Sequence, residues 1–238
     1  MGSGFKSRGV YHELMSTNDP VDRLRAALTA SSSSDRLQAA LAAGTHPRPE
    51  YADALIDRCA VEPDFFVRDM LTWALVRHPV GLTVPRLLRE AFADASQART
   101  QALHTLSKIG DPQGYPVARA LLDDPDVQVA RTAWRTAVVL VPAGEQAALA
   151  AGLAGQLGRG EADVQRSLSR ALAELGAAAT AVVEAAAATG AEDVRVHAAA
   201  TARLIDDPDL DFEAAMVEAR RQVARDAAPT GESAPADQ

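Results

Sequence analysis

The chain has 238 residues, of which 47% are hydrophobic and 4% aromatic, so its core must be built mainly from Ala, Leu and Val. Ala is the strongest helix former, and this composition predicts an all-α protein. The net charge of −8 argues against non-specific binding of nucleic acid by the molecule as a whole. The single cysteine, Cys59, excludes a disulfide within one chain.

The two ends of the sequence differ from its middle. Residues 1–18 are expected to be a tag or a disordered arm, and 227–238, which carry Pro, Gly and Ser, a disordered tail. Between them, 19–226 are predicted to form one repeat domain closed by a C-terminal capping helix. No apolar run of about 18 residues is present, and the N-terminal residues lack the apolar segment of a signal peptide. We therefore expect a cytoplasmic protein without a membrane-spanning helix.

One pattern recurs along the chain: an apolar residue, often followed by Arg or Gln, begins an Ala- and Leu-rich run. Successive copies begin 31, 31, 35 and 30 residues apart, at Val67, Ala98, Val129, Val164 and Val194. A near-constant period of this size is typical of stacked repeats, in which each repeat packs on its neighbours and no single central core forms.

Turn and capping residues divide each repeat into two helices. Asp64 and Asp126 are predicted N-caps, and Gly110, followed by Asp111-Pro112, is a helix stop. A fifth repeat, four to five residues longer than its neighbours, begins at Pro142. The predicted helices cover residues 20–30, 35–43, 50–61, 65–77, 84–92, 97–109, 115–122, 127–140, 162–175, 179–188, 193–205 and 212–225.

Three groups of residues resemble HEAT repeats: Asp124-Pro125-Asp126-Val127, the turn 109–112, and the Val-Arg pairs at 67–68 and 194–195. The resemblance covers about residues 35–207. It implies a right-handed α-α superhelix, a HEAT-like solenoid of about five to six helix pairs, in which the second helix of each pair lines the concave face.

The resemblance also implies a structural role for the Arg of the motif. In HEAT repeats the Asp and Arg of the motif tie neighbouring repeats together, which makes Arg68, Arg99 and Arg195 structural candidates. We call the series of bonds made by these arginines the ladder. The copies at Ala130 and Gln165 lack this Arg, so we expect the ladder to be incomplete.

The second helices carry a set of basic residues on one side. Counted from the first residue of each copy of the pattern, positions 2, 6 and 10 residues further on lie on the side of the helix opposite its apolar residues, which form the apolar stripe. In repeats 2 to 5 these positions carry six basic residues and two acidic ones, Asp69 and Glu174. We predict that these residues form a basic band. The candidate partner-binding residues in or beside it are Trp73, Arg77, His104, Lys108, Arg131, Trp134, Arg135, Arg166 and Arg170.

The sixth repeat lacks this basic character. The same offsets there carry Val196, Ala200 and Leu204. Apolar residues at these positions are expected if the last helix, 212–225, folds over them as a cap.

The pattern favours a non-catalytic scaffold that binds a protein or an acidic peptide along the basic band. Two alternatives remain open. The arginines could pair with neighbouring acids and bind nothing. The band could instead bind nucleic acid, as in the HEAT-like alkylpurine DNA glycosylases, with Asp69 and Trp73 at i, i+4 and Trp134 nearby.

The sequence predicts no cofactor and no metal. It contains no phosphate-binding loop, dinucleotide fingerprint, metalloprotease motif or nucleophile elbow. None of the five histidines lies four residues from another His or from Cys59. A lyase or maturation factor, a further class among HEAT-like proteins, would need a substrate or chromophore that these residues do not indicate. The oligomeric state is not indicated either.

Overall fold

The structure is a computed structural model that describes residues 19–227. Within these residues it contains thirteen α-helices, one short 3-10 helix and no strand, which confirms the all-α prediction. The expected N-terminal arm and all but the first residue of the expected tail lie outside the described residues. Contacts divide the chain into two compact units, and the boundary along the sequence lies between Leu140 and Val141. The single domain predicted over 19–226 stays a prediction.

Unit 1 is a two-layer stack of helix pairs. Its α-helices are α1 Pro20–Leu28, α2 Ser33–Thr45, α3 Ala52–Cys59, α4 Phe65–Val76, α5 Val80–Glu90, α6 Ser96–Ile109, α7 Gly114–Ala120 and α8 Val127–Leu140. The second helices α2, α4, α6 and α8 pack on one another in that order, and the first helices α1, α3, α5 and α7 form the other layer. Each pair therefore repeats one arrangement, as the sequence period predicts.

The predicted capping residues begin and end the helices of unit 1. The Asp64 carboxylate accepts hydrogen bonds from the amides of Phe66 and Val67 at 2.9 and 3.1 Å. Asp126 accepts from Gln128 N at 2.8 Å in the same way. Gly110 follows α6 with a φ of +76°, a left-handed conformation that favours glycine.

Helix α5 departs from its predicted bounds. It begins at Val80 and includes Pro85, whereas the sequence predicts a helix over 84–92. A proline inside a helix removes one backbone hydrogen bond, so the sequence pattern favours a helix that begins next to Pro85. Packing of the buried side chains of Thr83, Val84 and Leu87 holds the longer helix.

The motif arginines of unit 1 make structural contacts, but mainly within their own helix pair and not between pairs as the resemblance implies. Arg68 donates to the carbonyl oxygens of Glu62 and Pro63, both at 2.8 Å. Arg99 donates to the corresponding carbonyls of Ala93 and Asp94 at 3.0 and 2.9 Å. Each arginine thus closes the loop that joins the two helices of its own pair.

Neighbouring pairs are tied by carboxylates. Arg99 Nε lies 3.1 Å from Asp124 Oδ2 of the next pair. Arg36 occupies the same place at the start of α2 and binds the Ala30 and Ser31 carbonyls as well as the Glu62 carboxylate. The ladder therefore extends to a pair that lies before the clearest copies of the pattern.

Unit 2 contains five helices in its described residues, and its first four form two pairs. The helices are α9 Gln146–Ala154, α10 Ala162–Glu174, α11 Ala177–Thr189, α12 Glu192–Asp206 and α13 Phe212–Ala227. Helix α9 packs on α11, α10 packs on α12, and α13 packs on α12. Val196, Ala200 and Leu204 of α12 form one apolar cluster with Phe212 and other residues of α13. This contact accounts for the apolar residues at the offsets where earlier pairs carry bases.

The ladder continues in unit 2 with weaker bonds. The Gln165 amide donates to the carbonyls of Gly158 and Gly160 at 3.4 and 3.1 Å, which gives it the place of the missing Arg. Arg195 Nε donates to Ala187 O at 3.3 Å.

A buried histidine joins α10, α12 and the loop between α9 and α10. The Nδ1 atom of His197 accepts a hydrogen bond from Gly158 N at 3.0 Å, so Nε2 carries the proton. Nε2 lies 3.0 Å from both Gln165 O and Ser169 Oγ. Burial lowers the pKa of His197 to about 4, although the bond to Gln165 O opposes this shift.

Unit 2 should therefore lose stability below neutral pH. The folded pKa of about 4 lies below the ordinary value of 6.5, so the unfolded state binds the proton more readily. The stabilisation is present above pH 6.5 and is lost as the pH falls towards 4, by about 3 kcal/mol in full. Denaturant unfolding of wild type and His197→Gln between these pH values measures the effect. Equal pH slopes in the two proteins would exclude it.

Candidate functional site

The basic residues of unit 1 lie on the exposed side of the second helices. We call Arg77, Lys108, Arg131 and Arg135 the basic face; they lie at the end of α4, on α6 and on α8. Arg77, Lys108 and Arg135 are exposed and Arg131 is half-buried. The sequence offsets therefore predict exposure correctly for three of these side chains, whereas Arg131 is less exposed than expected.

Trp73 and Arg77 form one end of this surface. The Arg77 guanidinium lies 4.7 Å from the centre of the Trp73 ring, and its Nε donates to Gly44 O at 3.1 Å. The Trp73 ring lies directly against Gly44 near the end of α2, so close that a Cβ added there would be 2.3 Å from the ring. The position of the tryptophan therefore depends on this glycine.

Gly44→Ala should displace Trp73 and destabilise unit 1 by about 1–3 kcal/mol, because backbone and an anchored ring must move. The expected readouts are a lower midpoint in denaturant and a changed tryptophan fluorescence. Gly81→Ala is the matched control, since nothing lies within 4 Å of an added Cβ there. A neutral or favourable effect is expected at Gly81. Equal effects at both positions would refute the close contact.

His104 lies at the centre of the surface, half-buried on α6. Its pKa is lowered by burial first and then by the positive charges of Lys108 and Arg135, while Asp69 opposes the shift. These effects favour the neutral form of His104. Among residues 19–227, no hydrogen-bond partner reaches its ring nitrogens.

Arg131 and Arg135 place two positive charges close together on α8. Burial and the charge of Arg131 lower the pKa of Arg135. Arg135 Nε donates to Arg131 O and its Nη2 to Thr132 Oγ1, each at 3.3 Å. Neither acceptor is an acid, so Arg135 keeps its charge without an ion pair inside the described chain.

A cavity of about 240 Å³ opens beside His104, between α4, α6 and α8. We call it the His104 cavity. It is lined by Phe65, Arg68, Asp69, Thr100, Gln101, His104, Thr132 and Arg135. The basic-band offsets include Asp69, Thr100, His104 and Arg135 of these residues, but only His104 and Arg135 were candidate partner-binding residues. Phe65 was missed because it is the first residue of α4, where the helical pattern gives no sign of exposure.

Trp134 does not lie on this surface, and its prediction as a partner-binding residue is wrong. Its side chain is fully buried, and Nε1 donates to Leu122 O at 2.8 Å. Helix α7 packs on α8 and covers this side. The side chain is a core residue of unit 1.

Asp69 and Trp73 point to different neighbours, although they stand one turn apart on α4. Asp69 lines the His104 cavity, whereas Trp73 contacts Gly44 of α2 and does not line that cavity. A base stacked on Trp73 would therefore lie outside the cavity that holds the carboxylate. Neither tryptophan joins Asp69 in the arrangement that the glycosylase hypothesis needs.

In unit 2, Arg166 and Arg170 are in different electrostatic states. Arg166 Nη2 lies 2.5 Å from Glu213 Oε1 of α13, and its guanidinium lies 5.6 Å from the Phe212 ring. Arg170 is exposed and has no carboxylate within 4 Å among the described residues. Both line a cavity of about 450 Å³ that also contains Asp209 and Asp211. The charge of this site is therefore largely balanced within unit 2.

Within 19–227, no group of three or more His, Cys, Asp or Glu side chains is arranged to hold a metal ion. No helix in that part of the chain is long and apolar enough to cross a membrane.

The fold of each unit is all-α and contains paired helices. No protein-family model matches the chain, and no curated protein matches it in sequence. Among solved structures, an engineered protein shares 18% identity at a TM-score of 0.45, with 87% of this chain and 97% of that chain covered. Human deoxyhypusine hydroxylase shares 16% identity at a TM-score of 0.43. The similarity covers 91% of this chain and 98% of that chain.

The complex of CpcE and CpcF of phycocyanin lyase from Nostoc sp. is also similar. It shares 18% identity at a TM-score of 0.36, and the similarity covers 87% of this chain and 96% of that chain. All of these similarities are too distant to assign an activity or a partner.

Proposed function

We propose that unit 1 is a non-catalytic binding scaffold that holds an acidic peptide segment of a partner protein on the basic face. The observation that carries the proposal is that three cations of this face have no ion pair among the described residues. Among the described residues, no carboxylate lies within 4 Å of Arg77, Lys108 or Arg135. Internal pairing, the alternative that the sequence left open, therefore does not account for them.

Other arginines of unit 1 show the contrast. Six of them lie within 4 Å of a carboxylate: Arg25, Arg36, Arg48, Arg58, Arg86 and Arg99. Unit 1 thus neutralises many of its cations, whereas Arg77, Lys108 and Arg135 have no such partner among the described residues. Arg89, which lies on α5 in the other layer and has no ion pair within residues 19–227, supplies a control position.

Electrostatic repulsion on the face also supports an anionic ligand. Arg131 disfavours the charged form of Arg135, and Lys108 and Arg135 together disfavour protonation of His104. A bound carboxylate would offset this repulsion and form charge-assisted hydrogen bonds with the same groups. The net charge of −8 repels acidic ligands elsewhere, so attraction must come from the local face.

Selection of random peptides displayed on phage, against the immobilised full chain, tests the proposal. We expect recovered sequences to be enriched in Asp and Glu, despite the negative charge of the bait. A recovered set without acidic enrichment would contradict the proposal. Tight binding of a short labelled DNA duplex that falls steeply with salt would replace it with nucleic-acid binding.

A further inference from the structure

The His104 cavity combines a basic wall with an aromatic rim. His104 and Arg135 offer hydrogen-bond donors on one side, and neither has an acidic partner within hydrogen-bond distance among the described residues. The volume of about 240 Å³ suits one side chain and is small for a nucleobase with its sugar.

The aromatic rim is unusually exposed. Phe65 and Phe66 are 65% and 73% exposed, and their rings meet edge to face with centroids 5.6 Å apart. The Asp64 cap fixes the backbone of the first turn of α4, which carries both rings. A large apolar side chain laid on Phe65 would remove apolar area from water on both partners.

Asp69 limits the charge that the cavity accepts. Its carboxylate is exposed on the cavity wall, and it acts on His104 against the effect of Lys108 and Arg135. Arg68, also on the wall, already donates to two backbone carbonyls. A single negative charge is therefore favoured over the double charge of a phosphate group.

We infer that the His104 cavity takes one Asp or Glu side chain of the bound peptide, with an aromatic or large aliphatic side chain beside it on Phe65. This inference rests on the proposed function and deepens it, since it names the ligand residues that the scaffold recognises. The carboxylate lies between His104 and Arg135, and the apolar neighbour lies at the start of α4.

Four labelled octapeptides that differ in one dipeptide test this specificity by fluorescence anisotropy. Their central dipeptides are Asp-Phe, Asn-Phe, Asp-Ser and phosphoserine-Phe, in an otherwise Gly- and Ser-based sequence. We expect Asp-Phe to bind about tenfold more tightly than Asn-Phe and about fivefold more tightly than Asp-Ser. Phosphoserine-Phe should bind more weakly than Asp-Phe.

Exposed-residue variants locate the effect without disturbing the core. Phe65→Ala should remove the difference between Asp-Phe and Asp-Ser, whereas Phe92→Ala, which removes another exposed ring, should keep it. Arg135→Gln should remove the difference between Asp-Phe and Asn-Phe. Persistence of both differences in these variants would overturn the assignment of the cavity.

The pH response provides a second readout. The charged groups around His104 are Asp69 and Arg68 on α4, Lys108 on α6 and Arg135 on α8. A carboxylate in the cavity favours imidazolium, so affinity for Asp-Phe should rise about threefold from pH 7.5 to 5.5 in wild type and stay flat in His104→Gln. Equal pH responses would contradict the predicted contact.

A fifth labelled octapeptide, rich in Glu and without aromatic residues, separates the two proposals. If it binds and loses affinity in Lys108→Glu/Arg135→Glu, while Asp-Phe gains no advantage, the scaffold stands and the cavity assignment fails. If no acidic peptide binds, the proposed function itself fails.

Discussion

Glu62→Gln should destabilise unit 1 by about 3–5 kcal/mol, because it leaves buried arginine charge without its counter-ion. The carboxylate is fully buried and bridges neighbouring helix pairs. Its oxygens accept from Arg36 Nη2 at 2.8 Å, from Arg58 Nη2 at 2.6 Å and from Asp64 N at 2.9 Å. A glutamine of the same shape cannot accept all of these bonds.

The effect of Glu62 has a defined pH window. Burial alone would raise the pKa of Glu62, but the hydrogen bonds from Arg36, Asp64 N and Arg58 lower it to about 2. Because the ordinary value is 4.5, the stabilisation is present above pH 4.5 and is lost as the pH falls towards 2. The difference in the free energy of unfolding between wild type and Glu62→Gln should therefore become smaller as the pH falls over this interval.

Denaturant unfolding followed by circular dichroism measures both effects. Glu50→Gln is the control, since Glu50 is exposed and lies 4.0 Å from Arg48. A surface pair of this kind contributes less than about 1 kcal/mol. A Glu62→Gln variant as stable as Glu50→Gln would show that the buried cluster does not hold the pairs together.

Trp134→Ala should destabilise unit 1 by about 3–5 kcal/mol. The substitution opens a cavity in a fully buried site and leaves Leu122 O without its hydrogen-bond donor. Trp134→Phe keeps most of the ring and should cost less. The chain has two tryptophans, so Trp73→Phe leaves Trp134 as the single reporter. Its emission should be that of a buried indole. Solvent-exposed emission from Trp134, or an Ala variant of wild-type stability, would contradict its burial.

The repeat period and the capping residues were enough to predict most of the helices, although no bounds were predicted for α9. Asp64, Gly110 and Asp126 act on their immediate neighbours, so their effects can be derived from local sequence. The exposed side of the second helices also followed from helical geometry, because offsets 2, 6 and 10 oppose the apolar stripe. The cations at Arg77, Lys108 and Arg135 are exposed as expected.

The errors and omissions concern contacts between elements distant in sequence. Trp134 lies just outside the apolar stripe, and the pattern of α8 alone does not show that α7 covers it. Arg166 meets Glu213, which is 47 residues away in sequence. The His104 cavity needs three helices to be in place, so Phe65 and Gln101 carried no signal before packing was known.

Binding of an acidic peptide by the charge-reversed face tests the central claim most directly. A labelled peptide from the phage selection is titrated against wild type, Lys108→Glu/Arg135→Glu and the control Arg48→Glu/Arg89→Glu, which has the same net charge change. Circular dichroism checks that helix content is equal. We predict at least about a hundredfold loss for the first variant and little loss for the control. Equal affinity of the two variants would show that net charge, and not the basic face, governs binding.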